Sequence, residues 1–537
     1  MKARLPPTPV LLLALLVPLI SMIPTWQGYS FQQPPEKVFM GFRYMAGDHY
    51  QYAAFMREGR DGVGLFMYNP FTTDPQKGVF LLPYFWLIGV LSRLAGDIVL
   101  WWNLFRILGG ALYIIAFWWF AGSYFKSPGD RLLATGLFSI AGGLDWIVTL
   151  LRLGGMTRLA PIEHAFDFYW NWSTFGAMQV PNWIWPALFM ICAAHASLGR
   201  QRFRDIAIFL LLPAVWFLHA YSGMVAYLTF GLLPLVPVVI AAAGPGPIPK
   251  QRVRDNLRVA APALLSFLIV LAYLAWARND VVFHQNSERG LTWTDSFSVW
   301  WYPLSYGLLL PLAWYGLKSM IGERSLRADL LLAWFAAAII LSTNSVYAGV
   351  KFQYLVFPPL VLLATQGLLF LRQTHASFRR FTSSGSGVAI CVVLLCANAP
   401  VSLFKDQAAA RDDKDIYMST AEIEAMRWLE KQPDGAVLCM YHEGNRIPWL
   451  AGKRVFVGHW FMTPGLNDKM RVLSAFFAPD APAEIKNRIL ERTGVSYVFT
   501  GPDEMNAGVS SAALPLTQIY SAGGYTIYRV DFQHPAR

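Results

Sequence analysis

A carboxylate and an imidazole stand side by side in YMAGDHYQYAAF, residues 44–55, just after the first apolar segment of the chain. Asp48 could act as a general base that activates an acceptor hydroxyl, or it could bind a metal ion. His49 could assist proton transfer or metal binding, or it could simply line the loop. The alternative for Asp48 is a solvated turn residue after Gly47, a setting that aspartate favours. We take Asp48 and His49 as the predicted catalytic residues.

A second group of acidic and histidine residues lies between positions 145 and 167. Asp145 is predicted at the outer end of an apolar span, where a carboxylate is costly unless it is paired or lines a cavity. The stretch PIEHAFDFYWNWSTF then places Glu163, His164 and Asp167 among many aromatic rings. Aromatic faces and carboxylates suit a sugar, whose C–H faces stack on rings and whose hydroxyls need acceptors. An interfacial aromatic belt with solvated acids explains the same pattern equally well.

Two further positions lie near the ends of predicted spans. His284 belongs to RNDVVFHQNSERG, residues 278–290, a polar stretch that could be a mobile loop ordering over a substrate. Lys351, in NSVYAGVKFQYLVFPPL, is a cation at the outer end of a span, where the positive-inside rule disfavours it. A lipid-phosphate headgroup would explain Lys351, since an ammonium beside an apolar groove suits a phosphate. Snorkelling of the side chain to the interface is the alternative.

These residues must be positioned by a polytopic helical membrane protein. The chain has 537 residues, of which 55% are hydrophobic and 14% charged, and its mean hydropathy is +0.38. Soluble chains carry about 25% charged residues. Because the apolar runs are continuous and do not alternate, a closed barrel is excluded. We predict about eleven transmembrane helices, at 8–26, 98–122, 132–150, 181–199, 205–219, 222–243, 259–277, 298–318, 329–343, 354–371 and 387–404.

The basic residues predict the orientation of the chain. If segment 79–95 lies along the membrane without crossing it, all the basic loops fall on one side, which is then the cytoplasmic side. The N-terminus is therefore predicted to be cytoplasmic, with an uncleaved first span. The basic residues of these loops also account for the net charge of +11. The charge is therefore not taken as a sign of nucleic-acid binding. The four cysteines show no metal-binding spacing.

The composition changes after residue 404. Ser419 with Glu422 three residues later has the capping-box spacing that precedes an amphipathic helix. GAVLCMY, VSYVFTG and GYTIYRVDF are typical of strands, and PAEIKNRILERTG is typical of a helix. We predict a multi-span membrane domain over 1–404, with a first outer loop at 27–97, and a small extracytoplasmic α/β domain over 405–537. Some residues of the latter could bind glycan, although turn and cap roles are preferred: His442, Glu443, Asn445, His459 and Asp468.

This organisation resembles the GT-C superfamily of integral membrane glycosyltransferases. The first outer loop with an aspartate near its start is similar to that of its members, as is the in-plane segment KGVFLLPYFWLIGVLSRLAGD. VKFQYLVFPPL is similar to their basic-x-x-Tyr-x-x-x-Pro stretch, and GNRIPWLAGKRVFVGHW resembles soluble domains of uncharacterised bacterial members. The resemblance implies an all-α polytopic domain in the plasma (inner) membrane. It also implies transfer of a sugar, with inversion, from a polyprenyl-phosphate donor to a lipid, glycan or protein acceptor.

Carried over to this chain, the resemblance makes Asp48 the catalytic carboxylate and assigns Lys351 and Tyr354 to the donor phosphate. Many members pair the first-loop aspartate with another acid. His49 in that place leaves open whether Asp48 also holds a divalent metal such as Mg²⁺ or Mn²⁺. From position alone, we predict that a further set of residues contacts sugar or acceptor: Asp145, Glu163, His164, Asp167 and His284.

Two other functions remain open at this point. A transporter or flippase for lipid-linked envelope precursors would show ionisable residues or broken helices near mid-membrane, and often a repeated half. Arg106 and His195 are among the few ionisable residues inside the predicted spans, and no internal repeat is evident. A non-catalytic, glycan-binding protein of the same fold differs from the enzyme by little more than Asp48.

Overall fold

The computed structural model describes residues 5–43, 45–159, 173–244, 247–292, 302–343, 349–401, 403, 415–502 and 514–531. The chain divides into two compact units. The first unit comprises Met1–Pro24, Asn103–Leu274 and Leu291–Ala408, and the second comprises Thr25–Trp102, Ala275–Gly290 and Ala409–Arg537. The domain boundary at residue 404 stays a prediction.

The first unit is helical in the part that the structure describes. Four helices of the chain contain a unit boundary, namely Ile23–Phe31, Ile98–Ala121, Lys250–Ala277 and Val281–Thr292. Two 3₁₀ segments, Thr157–Leu159 and Gly349–Leu355, accompany the helices of this unit. Those helices are Thr8–Ile20, Pro128–Ile140, Asp145–Leu153, Thr174–Ala177, Pro181–Ser197, Gln201–Leu218, Ala220–Leu232, Val236–Ala242, Tyr302–Tyr306, Leu309–Gly322, Leu326–Ser342, Phe357–Thr374, Ala376–Ser383 and Gly385–Cys396.

Several helices have the length and composition of membrane spans. Among the described residues, three qualify outright: Thr8–Phe31, Ile98–Ala121 and Lys250–Ala277. Three bent pairs raise the number to six if each pair is one span. Shorter helices occupy other predicted spans, including Leu326–Ser342 and Phe357–Thr374. The chain is thus a helical membrane protein, and the number of eleven spans stays a prediction.

The predicted span 132–150 contains a break. Pro128–Ile140 and Asp145–Leu153 are separate helices, bent by 44° at the break between them. The break follows from Gly142 and Gly143. The amide of Gly142 donates to the Leu395 carbonyl at 2.8 Å, and a Cβ on Gly143 would lie 2.1 Å from the carbonyl oxygen of Leu304. Hydrogen bonds to a neighbouring segment therefore replace those of a continuous helix.

Close helix packing in the first unit depends on two glycines. A Cβ on Gly316 would lie 1.9 Å from the Leu363 carbonyl oxygen, and one on Gly367 would lie 1.8 Å from that of Leu312. The helices Leu309–Gly322 and Phe357–Thr374 can approach this closely only because neither position has a side chain. Small residues at such contacts are typical of helix pairs in membranes.

In the part that the structure describes, the second unit contains the helix of Asp48, further helices and eight short strands. Its helices are Ala46–Asp61, Pro83–Ser92, Thr420–Glu430, Tyr441–Leu450, Leu466–Phe477 and Ala483–Thr493. Two strand pairs are antiparallel: Val38–Phe39 with Tyr417–Met418, and Phe66–Met67 with Phe80–Leu81. The other four strands form one mixed sheet, in the order Val437–Leu438, Tyr497–Thr500, Tyr525–Val530, Leu516–Ala522.

Local signals predict much of this C-terminal part correctly. The Ser419 hydroxyl accepts from the Glu422 amide at 3.1 Å and caps Thr420–Glu430, as the capping box indicates. The predicted helix near 483–493 and the three predicted strands are also present. A buried apolar cluster that includes Leu438, Leu473 and Val498 joins the sheet to its helices.

The apolar segment 79–95 contains a helix of ten residues, Pro83–Ser92. A helix of this length extends about 15 Å, half the thickness of a hydrocarbon core. It packs against Ala46–Asp61 through glycine: a Cβ on Gly89 would lie 2.1 Å from the Met56 carbonyl oxygen. The length agrees with a segment that does not cross the membrane.

The polar stretch 278–290, for which a mobile loop was one possibility, is mainly helical. Val281–Thr292 is a helix, and the Asp280 carboxylate accepts from the Phe283 amide at 2.9 Å at its start. The other oxygen of Asp280 accepts from the Lys77 amide at 2.6 Å, which ties this helix to the first outer loop. Aspartate at this position satisfies an amide that the first helical turn leaves unpaired.

Candidate active site

The Asp48 carboxylate lies in the first turn of Ala46–Asp61, hereafter the Asp48 helix. The residue before this helix, Met45, has φ 46° and ψ 54°, an uncommon left-handed conformation for a residue with a side chain. The helix starts sharply there, with the His49 amide donating to the Met45 carbonyl at 3.1 Å. Unpaired amides and the helix dipole favour a negative charge in this first turn.

The Asp48 side chain pairs with a histidine 411 positions later in the chain. His459 Nε2 lies 3.0 Å from Asp48 Oδ1. The His459 side chain is 2% exposed, whereas that of Asp48 is 18% exposed. The carboxylate is thus held from inside the protein by a buried imidazole and keeps some access to solvent.

The polar surroundings of His459 define its tautomer. A carboxylate only accepts hydrogen bonds, so Nε2 must carry the proton that joins it to Asp48. The other ring nitrogen, Nδ1, is buried and has no hydrogen-bond partner among the described residues. The Nε2–H group of His459 therefore donates to the Asp48 carboxylate and orients it.

A tight turn holds His459 in place. The amides of Met462 and Thr463 both donate to the His459 carbonyl, at 3.0 and 2.9 Å. The Thr463 hydroxyl accepts from the Gly458 amide at 3.0 Å and donates to the Phe71 carbonyl at 3.1 Å. A Cβ on Gly458 would lie 2.5 Å from the Gly444 carbonyl oxygen, so only glycine fits just before His459.

The helix Tyr441–Leu450 supports the Asp48 turn from the side. Asn445 Nδ2 donates to the carbonyl oxygen of Gly47 at 3.2 Å. The next residue, Arg446, pairs with Glu422 at 2.7 Å, and both side chains are nearly inaccessible. Breaking a buried pair of this kind is strongly destabilising, so the ion pair anchors the helix that contacts Gly47.

Three further groups surround the Asp48–His459 pair. Burial raises the pKa of Tyr441; the Trp460 amide that hydrogen-bonds its phenol lowers it, and the charge of Asp48 raises it further. The Arg289 guanidinium donates to the Thr463 carbonyl at 3.0 Å and lies 5.7 Å from the centre of the Trp460 ring. The site therefore combines a carboxylate, a phenol, a cation and an aromatic ring, which suits a polar ligand with hydroxyl groups.

His49 occupies a different environment from Asp48. Its side chain is buried, its Nδ1 donates to the Met45 carbonyl at 3.1 Å, and its ring lies 5.1 to 5.7 Å from the rings of Phe42, Tyr52 and Trp102. This setting fits a residue that shapes the start of the Asp48 helix. The catalytic role of His49 stays a prediction.

The predicted phosphate site lies in the first unit. Lys351 is partly exposed and belongs to Gly349–Leu355, just before the apolar helix Phe357–Thr374. The neighbouring Phe352 ring is 5.4 Å from the ring of Tyr221. Tyr354 lies in the same 3₁₀ segment, and its side chain lies outside the described residues. The phosphate role of Lys351 and Tyr354 stays a prediction.

The residues predicted to contact sugar or acceptor are distributed over both units. Asp145 is buried at the start of Asp145–Leu153 in the first unit. Glu163, His164 and Asp167 lie outside the described residues. His284, in the second unit, lies 3.1 Å from Glu288 on its own helix and accepts from Arg278 at 3.2 Å. His284 is thus engaged on the surface of its helix, and its ligand role stays a prediction.

Solved structures are similar to this chain over nearly its whole length. ArnT from Cupriavidus metallidurans, bound to undecaprenyl phosphate, is 13% identical, with a TM-score of 0.52 over 96% of this chain and 98% of that one. The archaeal oligosaccharyltransferase AglB from Archaeoglobus fulgidus, in complex with an inhibitory peptide and a dolichol-phosphate, is 13% identical, with a TM-score of 0.51 over 97% of this chain and 74% of that one. The oligosaccharyltransferase of the same archaeon, tethered to an acceptor peptide, is 14% identical, with a TM-score of 0.51 over 92% of this chain and 69% of that one.

The chain has the GT-C fold. No protein-family model matches the sequence, and no curated protein sequence matches it. At 13 to 14% identity the structural likeness shows the fold alone. It confirms the fold that the first outer loop and the Lys351 stretch indicate.

The described part of this GT-C fold does not assemble a complete metal centre. No group of three or more histidine, cysteine, aspartate or glutamate side chains converges among the described residues. Asp48 and His459 supply one carboxylate and one imidazole, whereas Mg²⁺ prefers six oxygen ligands. These two residues by themselves do not fit a divalent ion.

Sequence reasoning misses the partners of Asp48 in this GT-C fold. His459 is considered only as one of several polar residues of the C-terminal region, and neither Tyr441 nor Arg289 is singled out. The signal available is weak: GHW, residues 458–460, places a glycine and a tryptophan around a histidine. Only the folded chain shows that this histidine meets Asp48.

Proposed function

We propose that this protein is a membrane glycosyltransferase. It moves a sugar from a polyprenyl-phosphate donor to an acceptor on the extracytoplasmic face, with inversion at the anomeric carbon. The observation that supports the proposal most strongly is the Asp48–His459 pair, a partly exposed carboxylate oriented by a buried imidazole on a GT-C fold.

Asp48 is the general base in this proposal. As the acceptor hydroxyl attacks, a bond forms between its oxygen and the anomeric carbon, and the bond from that carbon to the phosphate oxygen breaks. The hydroxyl proton moves to the Asp48 carboxylate, and the polyprenyl phosphate leaves with the bonding electrons. Proton removal by a positioned base typically contributes a factor of about 10² to 10⁴ in rate. The His459 N–H keeps the carboxylate oriented for this transfer.

Lys351 and Tyr354 contact the donor phosphate in this proposal. A cation near the leaving group stabilises the charge that develops as the phosphate departs. The Lys351 segment directly precedes the apolar helix Phe357–Thr374, and a cation beside apolar structure is compatible with a lipid-phosphate donor. Two of the similar structures are complexes with undecaprenyl phosphate and dolichol-phosphate, which supports a donor of this class.

The membrane arrangement follows the basic clusters. In this proposal the chain has about eleven spans in the plasma membrane and a cytoplasmic N-terminus. Its first outer loop and C-terminal region lie on the extracytoplasmic side. The acceptor is a lipid, a glycan or a protein that reaches the outer face. Asp145, Glu163, His164, Asp167 and His284 are proposed contacts for sugar or acceptor, and a divalent ion at Asp48 would need ligands beyond His459.

The test uses full-length protein in lipid, a panel of radiolabelled polyprenyl-phosphate sugars, and a membrane extract as the source of acceptor. Wild-type protein should transfer or slowly hydrolyse one donor, and Asp48→Asn should lose at least about 10²-fold in rate while binding the donor as before. Asp468→Asn is the matched control, because Asp468 is 80% exposed and pairs only with Arg471 among the described residues. Donor bound but never turned over, with every acceptor fraction, would contradict the enzyme and favour a binding protein.

A second variant tests the phosphate assignment. Lys351→Ala should weaken donor binding about tenfold or more, because a charge-assisted contact to phosphate is lost. Lys318→Ala is the control, since this lysine lies over the rings of Trp314 and Tyr315 in another helix of the same unit. Unchanged donor affinity in Lys351→Ala would remove Lys351 from the site without affecting the role of Asp48.

A further inference from the structure

A cavity lies within the second unit, near the C-terminal end of the Asp48 helix. Its volume is about 440 Å³, and its walls include Arg57, Arg60 and Arg427. We call it the Arg60 pocket. Arg57 and Arg60 follow Asp48 by nine and twelve residues, which is about 14 and 18 Å along a helix axis. Nine residues also turn a helix by about 180°, so Arg57 and Asp48 lie on opposite faces. The pocket is therefore distinct from the candidate active site.

The three arginines of the pocket differ in their partners. Arg57 pairs with Asp61 at 2.5 Å and with Glu430 at 2.7 Å. Arg57 is thus held by two carboxylates and stabilises the pocket wall.

Arg60 and Arg427 are both exposed, and neither makes an ion pair among the described residues. The remaining acidic group of the wall, Asp97, accepts from the Leu100 amide at 2.8 Å and caps a helix. The three arginines of the wall face two carboxylates, Asp97 and Glu430, so the wall has a net charge of +1, and Arg60 and Arg427 are its arginines without an ion pair among the described residues. Arginine binds phosphate through paired, charge-assisted hydrogen bonds.

The pocket is also bounded by the ends of two candidate membrane spans. Tyr29 belongs to the last turns of Thr8–Phe31, and Ile98 and Val99 open Ile98–Ala121. Tyr29 is 45% exposed, as is typical of aromatic residues at a membrane interface. Span ends mark the depth of lipid headgroups, so a phosphate bound here would lie at headgroup level.

We propose that the Arg60 pocket binds a phosphate group, and that the source of this phosphate is the headgroup of an anionic phospholipid. The two arginines contact the phosphate oxygens. Apolar and aromatic wall residues, including Val38, Tyr29 and Ile98, contact the glycerol and the first methylenes of the chains. This role is independent of donor and acceptor, and it anchors the first outer loop to the membrane surface.

The experiment measures binding of short-chain phosphatidylglycerol to the full-length protein in a neutral detergent, by titration calorimetry and native mass spectrometry. Short-chain phosphatidylcholine, glycerol 3-phosphate and inorganic phosphate are the comparison ligands. Arg60→Gln/Arg427→Gln removes both free guanidinium groups. Arg488→Gln/Arg492→Gln is the matched control, because it removes the same charge from an exposed helix of the same unit away from the pocket.

We expect phosphatidylglycerol to bind wild type and the control double variant equally, and to bind Arg60→Gln/Arg427→Gln at least about tenfold more weakly. Phosphatidylcholine should bind much more weakly to every form. If soluble phosphates bind as tightly as phosphatidylglycerol and depend on the same arginines, the lipid source is wrong and the pocket is a soluble-phosphate site. If no ligand binds, or if both double variants bind phosphatidylglycerol like wild type, the proposal is overturned.

Discussion

The orientation of Asp48 by His459 makes a quantitative prediction for two substitutions of the histidine. His459→Leu keeps the volume of the buried side chain and removes the Nε2 donor that lies 3.0 Å from Asp48 Oδ1. A hydrogen bond to a charged group contributes about 1.5 to 3 kcal/mol. If the bond positions the base in the transition state, its loss lowers the rate about 10- to 150-fold, since about 1.4 kcal/mol corresponds to a factor of ten.

The second substitution separates a positioning role from a packing role. His459→Gln retains an N–H group that can reach Asp48, so it should keep the rate within about fivefold of wild type. The assay is transfer from the polyprenyl-phosphate sugar under single-turnover conditions, with bound donor measured in the same samples. His459→Leu should lower the rate of the chemical step and leave donor affinity unchanged.

Combining substitutions tests whether the histidine acts through the carboxylate. In the Asp48→Asn background, His459→Leu should cause no further loss of rate, because groups that act as a unit give non-additive effects. Thermal unfolding of each variant shows whether the fold is retained. Equal rates for His459→Leu and wild type, or equal losses for the Leu and Gln variants, would refute the positioning role.

Three further predictions concern stability, measured by thermal unfolding in detergent. Burial raises the pKa of Glu58 from 4.5 to about 8, so the folded protein resists its ionisation and loses stability as pH rises through that window. Glu58→Gln should therefore match wild type at pH 4 and exceed it by at least about 1 kcal/mol at pH 9; a gain independent of pH would contradict this. Gly444→Ala would place a Cβ 2.0 Å from the Val457 carbonyl oxygen and should cost about 1 to 3 kcal/mol or more, whereas Gly64→Ala, with nothing within 4 Å, should cost little. Asp329 is fully buried and pairs with Arg252, so Asp329→Ala should destabilise by about 3 to 5 kcal/mol; a change under about 1 kcal/mol would show that the pair is not anchored as described.

The sequence predicts those features whose physical cause is local. The Ser419 cap and the helix near 483–493 depend on residues a few positions apart, and both are present. The choice of Asp48 also depends on local information, namely a carboxylate in the loop after the first apolar segment. The GT-C fold is indicated by a resemblance, which the first outer loop and the Lys351 stretch carry and which is visible in the sequence.

Features that depend on distant contacts are missed. His459 meets Asp48 across 411 positions, and no periodicity or spacing relates them. His49 is adjacent to Asp48 in the sequence, but its ring packs against Phe42, Tyr52 and Trp102. Consecutive side chains on a helix point about 100° apart, so the two neighbours have different surroundings. The break before Asp145 likewise depends on Leu304 and Leu395, which reach Gly142 and Leu144 only in the folded chain.

The buried charges also bear on the transporter alternative. Arg106, inside a candidate span, donates to the Ser21 carbonyl and to Gln179 Oε1, the latter at 2.6 Å. Asp329 pairs with Arg252 and accepts from Asn256 at 2.8 Å. Both groups have fixed protein partners, as expected of residues that stabilise helix packing. They provide no specific support for a transport path.

The most direct test of the central claim is the fate of a donor already bound to the enzyme. Purified protein in lipid would be loaded with radiolabelled polyprenyl-phosphate sugar, acceptor would be added, and both bound donor and released polyprenyl phosphate would be followed in wild type and Asp48→Asn. We predict equal initial occupancy, loss of sugar from the donor in wild type, and at least about 10²-fold slower loss in Asp48→Asn. Turnover at the wild-type rate in Asp48→Asn would contradict the assignment of Asp48 as the base.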